Sequence, residues 1–337
     1  RPGARSGVTG AELGARLREG DLDAAPAVLN LVESTTAEDR RETADLLRTV
    51  SPAALGGEAR AHIIGVTGPP GVGKSTLLSA LVGVWRRRGR TVAALAVDPS
   101  SKRSGGALLG DRARIAFDPG DRGVFVRSTA TAHRLGGLAP ATRAGAHALA
   151  VAFDIVVVET VGVGQSETEV ADLADTVMVV LQPGSGDTLQ FLKSGIMEIP
   201  DLLVVTKSDM GRVARATLQD ARSAAAAAGS WETPTLAVSS VPPTAGVEAV
   251  ADALDAHRAG LDLPARRLRA RRAGALADFV TEHGEHGLRR LGGRRAAERW
   301  LGSLPAGLDG AGLVASLEGR AGRPPHPAGR AAGDPAV

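Results

Sequence analysis

The sequence contains no cysteine. That excludes disulfides, thiolate metal sites and thiol catalysis, and it agrees with a reducing compartment. Nor is there an uninterrupted apolar stretch approaching the roughly 20 residues that a helix needs to cross a bilayer, and the opening residues, Arg1-Pro2-Gly3-Ala4-Arg5-Ser6, lead into no signal-peptide core. A soluble, cytoplasmic protein with no membrane partner is expected. Because the chain starts at Arg1 rather than a methionine, the natural N-terminus is expected to lie outside this sequence. A large charge imbalance is missing too. The 40 Lys and Arg face 37 Asp and Glu, a formal net charge of +3, which gives no general pull towards nucleic acid or anionic membrane. What the 337 residues do have is apolar content, 43%, enough for one large domain or two smaller ones with a real core.

Residues 1–60 carry apolar positions at three- and four-residue spacing and read as a helical extension, with Thr36 and Asp39 suiting a helix start and residues 51–57 a linker. From about Ala61 the pattern changes to short apolar runs alternating with helical segments: 62–67, 92–97, 124–127, 154–159, 176–181, 202–206 and 235–238. Most are rich in valine and isoleucine and apolar throughout, as strands buried on both faces are. This predicts an α/β fold with a doubly wound, mainly parallel sheet over residues 61–261, whose ligand site lies at the carboxyl ends of the strands. Residues 262–318 read as a C-terminal helical arm weakened by Gly284, Gly287, Gly292 and Gly293, and residues 319–337 as a disordered tail. Trp85, Trp231, Trp300 and His133 read as packing or surface positions.

The stretch Gly68-Pro69-Pro70-Gly71-Val72-Gly73-Lys74-Ser75-Thr76 fits G-x-x-x-x-G-K-S/T, between an apolar run and a helix-like segment. A glycine-rich loop there aims backbone N–H groups at one spot, and the positive end of the helix dipole adds to the attraction for phosphate. Lys74 would reach the β- and γ-phosphates, and the Ser75 hydroxyl would ligate Mg²⁺. The remaining strand ends then gain meaning. Asp98 either serves the metal shell or an attacking water, or caps a turn; Asp111 either joins the metal shell or pairs with Arg112 or Arg114 at the surface. Glu159, followed by Gly162, has the spacing in which the acid serves Mg²⁺ and the glycine N–H senses the γ-phosphate; Gln165 either positions water or is a surface residue. In Thr206-Lys207-Ser208-Asp209 the carboxylate suits guanine, accepting from N1–H and the exocyclic amine together, where adenine offers no such pair. A capping Asp is the plainer reading. The Lys207 stem would cover the base, and Ser239, Ser240 and Val241 would place N–H groups near the base oxygen.

Four stretches, Gly68 through Thr76, Val97-Asp98-Pro99-Ser100-Ser101 with Gly105-Gly106 and Leu109-Gly110-Asp111, Glu159-Thr160-Val161-Gly162-Val163-Gly164-Gln165-Ser166-Glu167, and Gly186-Asp187-Thr188-Leu189-Gln190, together resemble the MeaB (ArgK-type) family of P-loop GTPases, chaperones of adenosylcobalamin-dependent acyl-CoA mutases such as methylmalonyl-CoA mutase. The resemblance covers about residues 10–260. It implies a homodimeric, Mg²⁺-dependent GTPase that gates cofactor loading and protects the mutase. It further implies that Lys74, Ser75, Asp98, Asp111 and Glu159 manage metal and phosphate, Lys207 and Asp209 guanine, and residues 184–193 a switch facing the mutase. Position 206 is Thr where many guanine sites have Asn, which puts loop rigidity and affinity in question. The competing readings are a P-loop kinase or ATPase acting on a small molecule or a transport protein, and a nucleic-acid binder using the arginines of 266–272 and 289–299.

Overall fold

A computed structural model describes residues 8–98, 115–130, 138–160, 169–184, 200–227 and 232–322, and of Asp98 and Ala130 the backbone. The apolar runs form seven strands: β1 (His62–Thr67), β2 (Val92–Asp98), β3 (Val124–Ala130), β4 (Ile155–Glu159), β5 (Thr176–Leu181), β6 (Leu202–Val205) and β7 (Thr235–Ala237). They lie in the order β3-β2-β4-β1-β5-β6-β7, and every neighbouring pair is parallel. The expected mainly parallel sheet is therefore wholly parallel among the described residues. Every residue of β1, β4, β5 and β6 is buried, so these strands have no solvent face of the kind a hairpin sheet keeps. The chain lays β2 and β3 on one side of β1, returns through β4, then crosses to build β5, β6 and β7 on the other side. The end of β1 thus lies where the winding reverses, the place at which such sheets bind ligands.

Alternate strand residues feed the two faces. Ile63, Leu95, Val156 and Val158 pack with Leu13, Leu17, Leu29 and Leu46 of the N-terminal helices, and Ile64, Val66, Val157 and Met178 with Leu77, Leu81 and the fully buried Trp85. The first group explains why the N-terminal segment folds on this sheet. Its helices α1 (Gly10–Arg18), α2 (Ala25–Glu33) and α3 (Ala37–Thr49) share one core with the strands. Thr36 caps α3 by accepting from the Asp39 N–H at 3.1 Å. The linker expected over residues 51–57 is instead largely a short helix, α4 (Pro52–Leu55). Ser51 and Pro52 supply a side-chain cap and a preset first turn, and the Ala53 N–H bonds the Gly307 carbonyl at 3.2 Å. Around the sheet lie α5 (Lys74–Arg87), α6 (Pro140–Leu149), α7 (Arg212–Ala227) and α8 (Val247–Ala259).

Three helices follow, α9 (Leu263–Arg290), α10 (Arg294–Ser303) and α11 (Gly310–Gly322), with a small core of their own around Leu276, Phe279, Leu288, Leu301, Leu313 and Leu317. The glycine expected to weaken a long helix breaks α9 at Gly284 (φ 61°, ψ −166°), and α11 runs past the boundary set at 319. Trp300 is half-buried, with the Arg320 guanidinium 4.4 Å above its ring; Trp231 and His133 lie outside the described residues.

The arginine run 266–272 turns partly inward, onto the amino ends of the strands. Arg267 is buried, donates to Asp175 at 2.8 and 2.7 Å, and also bonds the carbonyls of Ala59 and Ala61. Arg266 donates to Asp201 at 2.7 Å and Arg271 to Glu58 at 2.8 Å. These side chains hold α9 to the sheet rather than facing a nucleic acid. Next to them His62 Nε2 and His257 Nδ1 each lie 2.7 Å from the Thr176 hydroxyl. Burial pushes His62 from 6.5 down to about 3 against the pull of Asp175, and burial followed by the charges of Arg267 and Arg271 does the same to His147. Both imidazoles are therefore neutral in the fold but protonate near pH 6.5 once unfolded. The stability this gives is complete above pH 6.5 and is lost as the pH falls towards 3. Acidification from pH 7 to 5 should cost about 2 kcal/mol per histidine. Unfolding midpoints measured across that range should drop steadily for the native chain and about half as steeply for His147→Gln.

Candidate nucleotide-binding site

The loop between β1 and α5 has a backbone that its sequence makes specific. Gly68 has φ 141°, and a Cβ there would stand 2.1 Å from the Val180 carbonyl oxygen, so no other residue fits without moving β5. Val72 packs into the core while Pro70 and Gly71 are exposed, which leaves the loop anchored at one side and open at the other. Lys74 opens α5 and is buried. Its ammonium donates to the carbonyls of Gly68 at 2.7 Å and Pro69 at 3.1 Å, lying across the concavity of the loop. The first N–H groups of α5, from Lys74, Ser75 and Thr76, precede any intrahelical partner and face the same side, where an anion is favoured.

Strand β4 brings Glu159 beside β1, in register with Val66. The Ser75 hydroxyl donates to Glu159 Oε1 at 3.0 Å, and the carboxylate is 8% exposed. A hydroxyl and a carboxylate converging next to the phosphate loop are hard oxygen donors, the set that suits Mg²⁺. The residues present fit that ion, and Ser75 and Glu159 would hold it. Glu159 pairs with Ala96 of β2, so Asp98 continues the same row of strand ends two residues further on. Asp111, Gly162 and Gln165, and residues 185–193 of the expected switch, lie outside the described residues.

On the other side, the end of β6 comes back to the same loop. The Thr206 hydroxyl stands 2.6 Å from the Val72 carbonyl and 3.0 Å from that of Leu181. Thr206 thus ties the end of β6 to the loop between β1 and α5, and the rigidity its smaller side chain put in question is supplied at this point by one short bond. Lys207 sits in the left-handed region at φ 52° and reaches Gln182 Oε1 at 2.6 Å and the Gly71 carbonyl at 3.4 Å. Gln182 escaped sequence reasoning, although a polar residue directly after a buried strand in such a sheet is a signal worth following. Asp209 is exposed in the short turn Ser208–Met210, which is pinned by the Ser208 N–H to the Val238 carbonyl at 2.9 Å. The Ser239 N–H is committed to the Ala245 carbonyl at 2.9 Å and so is not open to the base oxygen it was expected to meet. Substituting Thr206→Val keeps the shape and removes the bond to Val72. The buried carbonyl left behind should cost about 1–3 kcal/mol, read as a lower unfolding midpoint together with weaker GDP binding.

The family model described as Methylmalonyl Co-A mutase-associated GTPase MeaB matches residues 25–288. The chain belongs to the MeaB family. Among curated proteins this MeaB-family chain is 43% identical over 198 residues to a probable GTPase of Mycobacterium bovis, covering 58% of each. It is 40% identical over 191 residues to the mouse protein named methylmalonic aciduria type A homolog, mitochondrial, covering 54% of this chain and 45% of that one. The chain spans about three-fifths of the length of the first curated relatives it matches. Among solved structures, one described as LAO/AO transport system kinase superposes with a TM-score of 0.61 at 26% identity, over 94% of this chain and 99% of that one. Among the described residues no helix is long and apolar enough to cross a membrane.

Proposed function

We propose that this P-loop GTPase hydrolyses GTP with Mg²⁺ and acts as a chaperone that gates adenosylcobalamin loading of an acyl-CoA mutase of the methylmalonyl-CoA mutase type. The observation that carries the reading is the junction of two half-sites within a MeaB-family chain. A phosphate loop and a Thr-Lys-Ser-Asp base loop are bonded to one another through Thr206 with Val72 and Lys207 with Gly71. In this reading the triphosphate lies on the N–H groups of the loop and the start of α5. Lys74, released from the Gly68 and Pro69 carbonyls, meets the β- and γ-phosphates where charge builds during transfer. Ser75 and Glu159 would hold the metal, which would supply neutralisation of the charge on the transferring phosphoryl group. Asp209 accepts from the guanine edge while the Lys207 stem covers its face.

The names of the MeaB family and of the mouse relative support the mutase connection, as does the resemblance of the Glu159 to Glu167 string. Pairing of two chains through the C-terminal helices belongs to the same reading and is checked by solution mass. The test of function mixes the chain with a cobalamin-dependent acyl-CoA mutase and measures complex formation and GTP turnover together. Binding with an altered hydrolysis rate is expected; neither binding nor any change in rate would refute the chaperone role. The structural neighbour's name keeps one rival in view, a P-loop kinase, and phosphate delivered to a small-molecule acceptor rather than to water would favour it.

A further inference from the structure

Arg143, on α6, joins three parts of the molecule that the sequence keeps far apart. It is 7% exposed. Its Nη2 donates to the Leu138 carbonyl at 3.1 Å and to Asp278 Oδ1 at 3.0 Å, and stands 3.5 Å from Glu169 Oε2. Nε adds a second approach to Asp278 at 3.3 Å. The same Glu169 oxygen accepts from the Leu138 N–H at 2.7 Å, closing a ring of Leu138, Arg143 and Glu169. Helix α9 is shaped for this side chain. A Cβ at Gly274 would stand 3.2 Å from Arg143 Cδ, so the glycine opens a slot in which the aliphatic stem lies, one turn before Asp278. Burial raises the Asp278 carboxyl and Arg143 pulls it back. The bridge also borders a cavity of about 750 Å³ between the N-terminal helices, α6, α9 and α11.

The place of Glu169 in the chain gives the bridge its meaning. It comes two residues after the string from Glu159 to Glu167, whose Gly162 has the spacing from Glu159 expected of a γ-phosphate sensor. The entry to that string is fixed by the Thr160 N–H on the Val66 carbonyl at 2.9 Å, beside the phosphate loop. Glu169, which follows it, is held by the Leu138 N–H and Arg143. We propose that Arg143 is a positioning residue for GTP hydrolysis, joining Glu169, two residues beyond that string, to Asp278 of α9 so that the nucleotide site and the C-terminal helices are set together. This rests on the GTPase reading. Arg143 touches neither substrate nor metal; it acts through Glu169.

The experiment measures steady-state GTP hydrolysis and, separately, GDP affinity for Arg143→Met, Arg143→Lys, Asp278→Asn and the double variant Arg143→Met/Asp278→Asn. Misplacement of a catalytic element by a distant residue should lower kcat about tenfold or more in Arg143→Met, while GDP affinity stays within about twofold of wild type. Asp278→Asn should move kcat in the same direction, the double variant should be no worse than Arg143→Met, since both break one bridge, and Arg143→Lys should recover part of the rate. Should Arg143→Met fail to fold, the lysine variant and Asp278→Asn decide alone. Unchanged kcat in those two, multiplicative losses in the double variant, or parallel loss of GDP affinity would each overturn the bridge. A wild-type chain that hydrolyses no GTP would instead refute the underlying GTPase reading, and the inference with it.

Discussion

Lys74→Ala should lower the rate of GTP hydrolysis by about a thousandfold while the unfolding midpoint falls only modestly. The two halves of that expectation come from different contacts. In the fold the ammonium bonds the Gly68 and Pro69 carbonyls, at 2.7 and 3.1 Å, on a loop whose outer residues Pro70 and Gly71 are already exposed. Gly68 and Pro69 are themselves buried, so leaving their carbonyls without the ammonium should cost about 1–3 kcal/mol of stability. In the proposed reaction the same ammonium would face charge that grows on the transferring phosphoryl group, and water in its place would have to reorganise at each turnover. Fixed charge at the transition state is what the substitution removes, so kcat should fall more than nucleotide affinity does. Single-turnover hydrolysis with equilibrium GDP binding separates the two. Turnover within tenfold of wild type would mean that the phosphate loop does not perform the chemistry assigned to it.

Much of this site was legible because the determinants of each half are contiguous. The glycines, lysine and serine of the phosphate loop follow one another directly, and each strand announces itself by an apolar run because both faces of the sheet are covered. Even the departure at Thr206 could be seen in the sequence, but its consequence could not. A threonine offers fewer bonds than an asparagine, and only the fold shows that its hydroxyl lands 2.6 Å from Val72, 134 positions away. The same distance in sequence hid Arg143, whose partner Asp278 is 135 positions on. Alone in a helical stretch, such an arginine looks like any solvated cation. The inward turn of Arg266, Arg267 and Arg271 was hidden for a related reason: a run of arginines signals charge, and nothing local says that Asp175 and Asp201 at the feet of two strands will meet it. At Ser239 the local reading assigned an N–H that the turn to Ala245 uses itself. Local chemistry was readable, and the ties between segments were not.

In the proposed function one carboxylate decides the base, and exchanging a single atom of it should change which nucleotide the chain prefers. Guanine presents two donors on one edge, N1–H and the exocyclic amine. The Asp209 carboxylate, acceptor on both oxygens, matches that pair, and hydrogen bonds to a charged acceptor are the stronger kind. Asp209→Asn keeps the size and the turn, since the side chain is exposed and the turn is held by the Ser208 backbone. It replaces one acceptor with a donor, which now faces the guanine amine, donor against donor. Xanthine carries an oxygen at that position and keeps N1–H, so it meets the amide in complementary order. GTP affinity should fall by about a hundredfold or more and xanthosine triphosphate should bind in its place. Hydrolysis of the xanthosine nucleotide should then approach the native rate, because the phosphate loop, Lys74 and the Ser75–Glu159 pair are untouched. Competition binding of the two nucleotides to both proteins is the measurement. Equal GTP affinity before and after the substitution would move the base away from Asp209, and with it the link between Thr206, Lys207 and guanine, while leaving the phosphate half of the site in place.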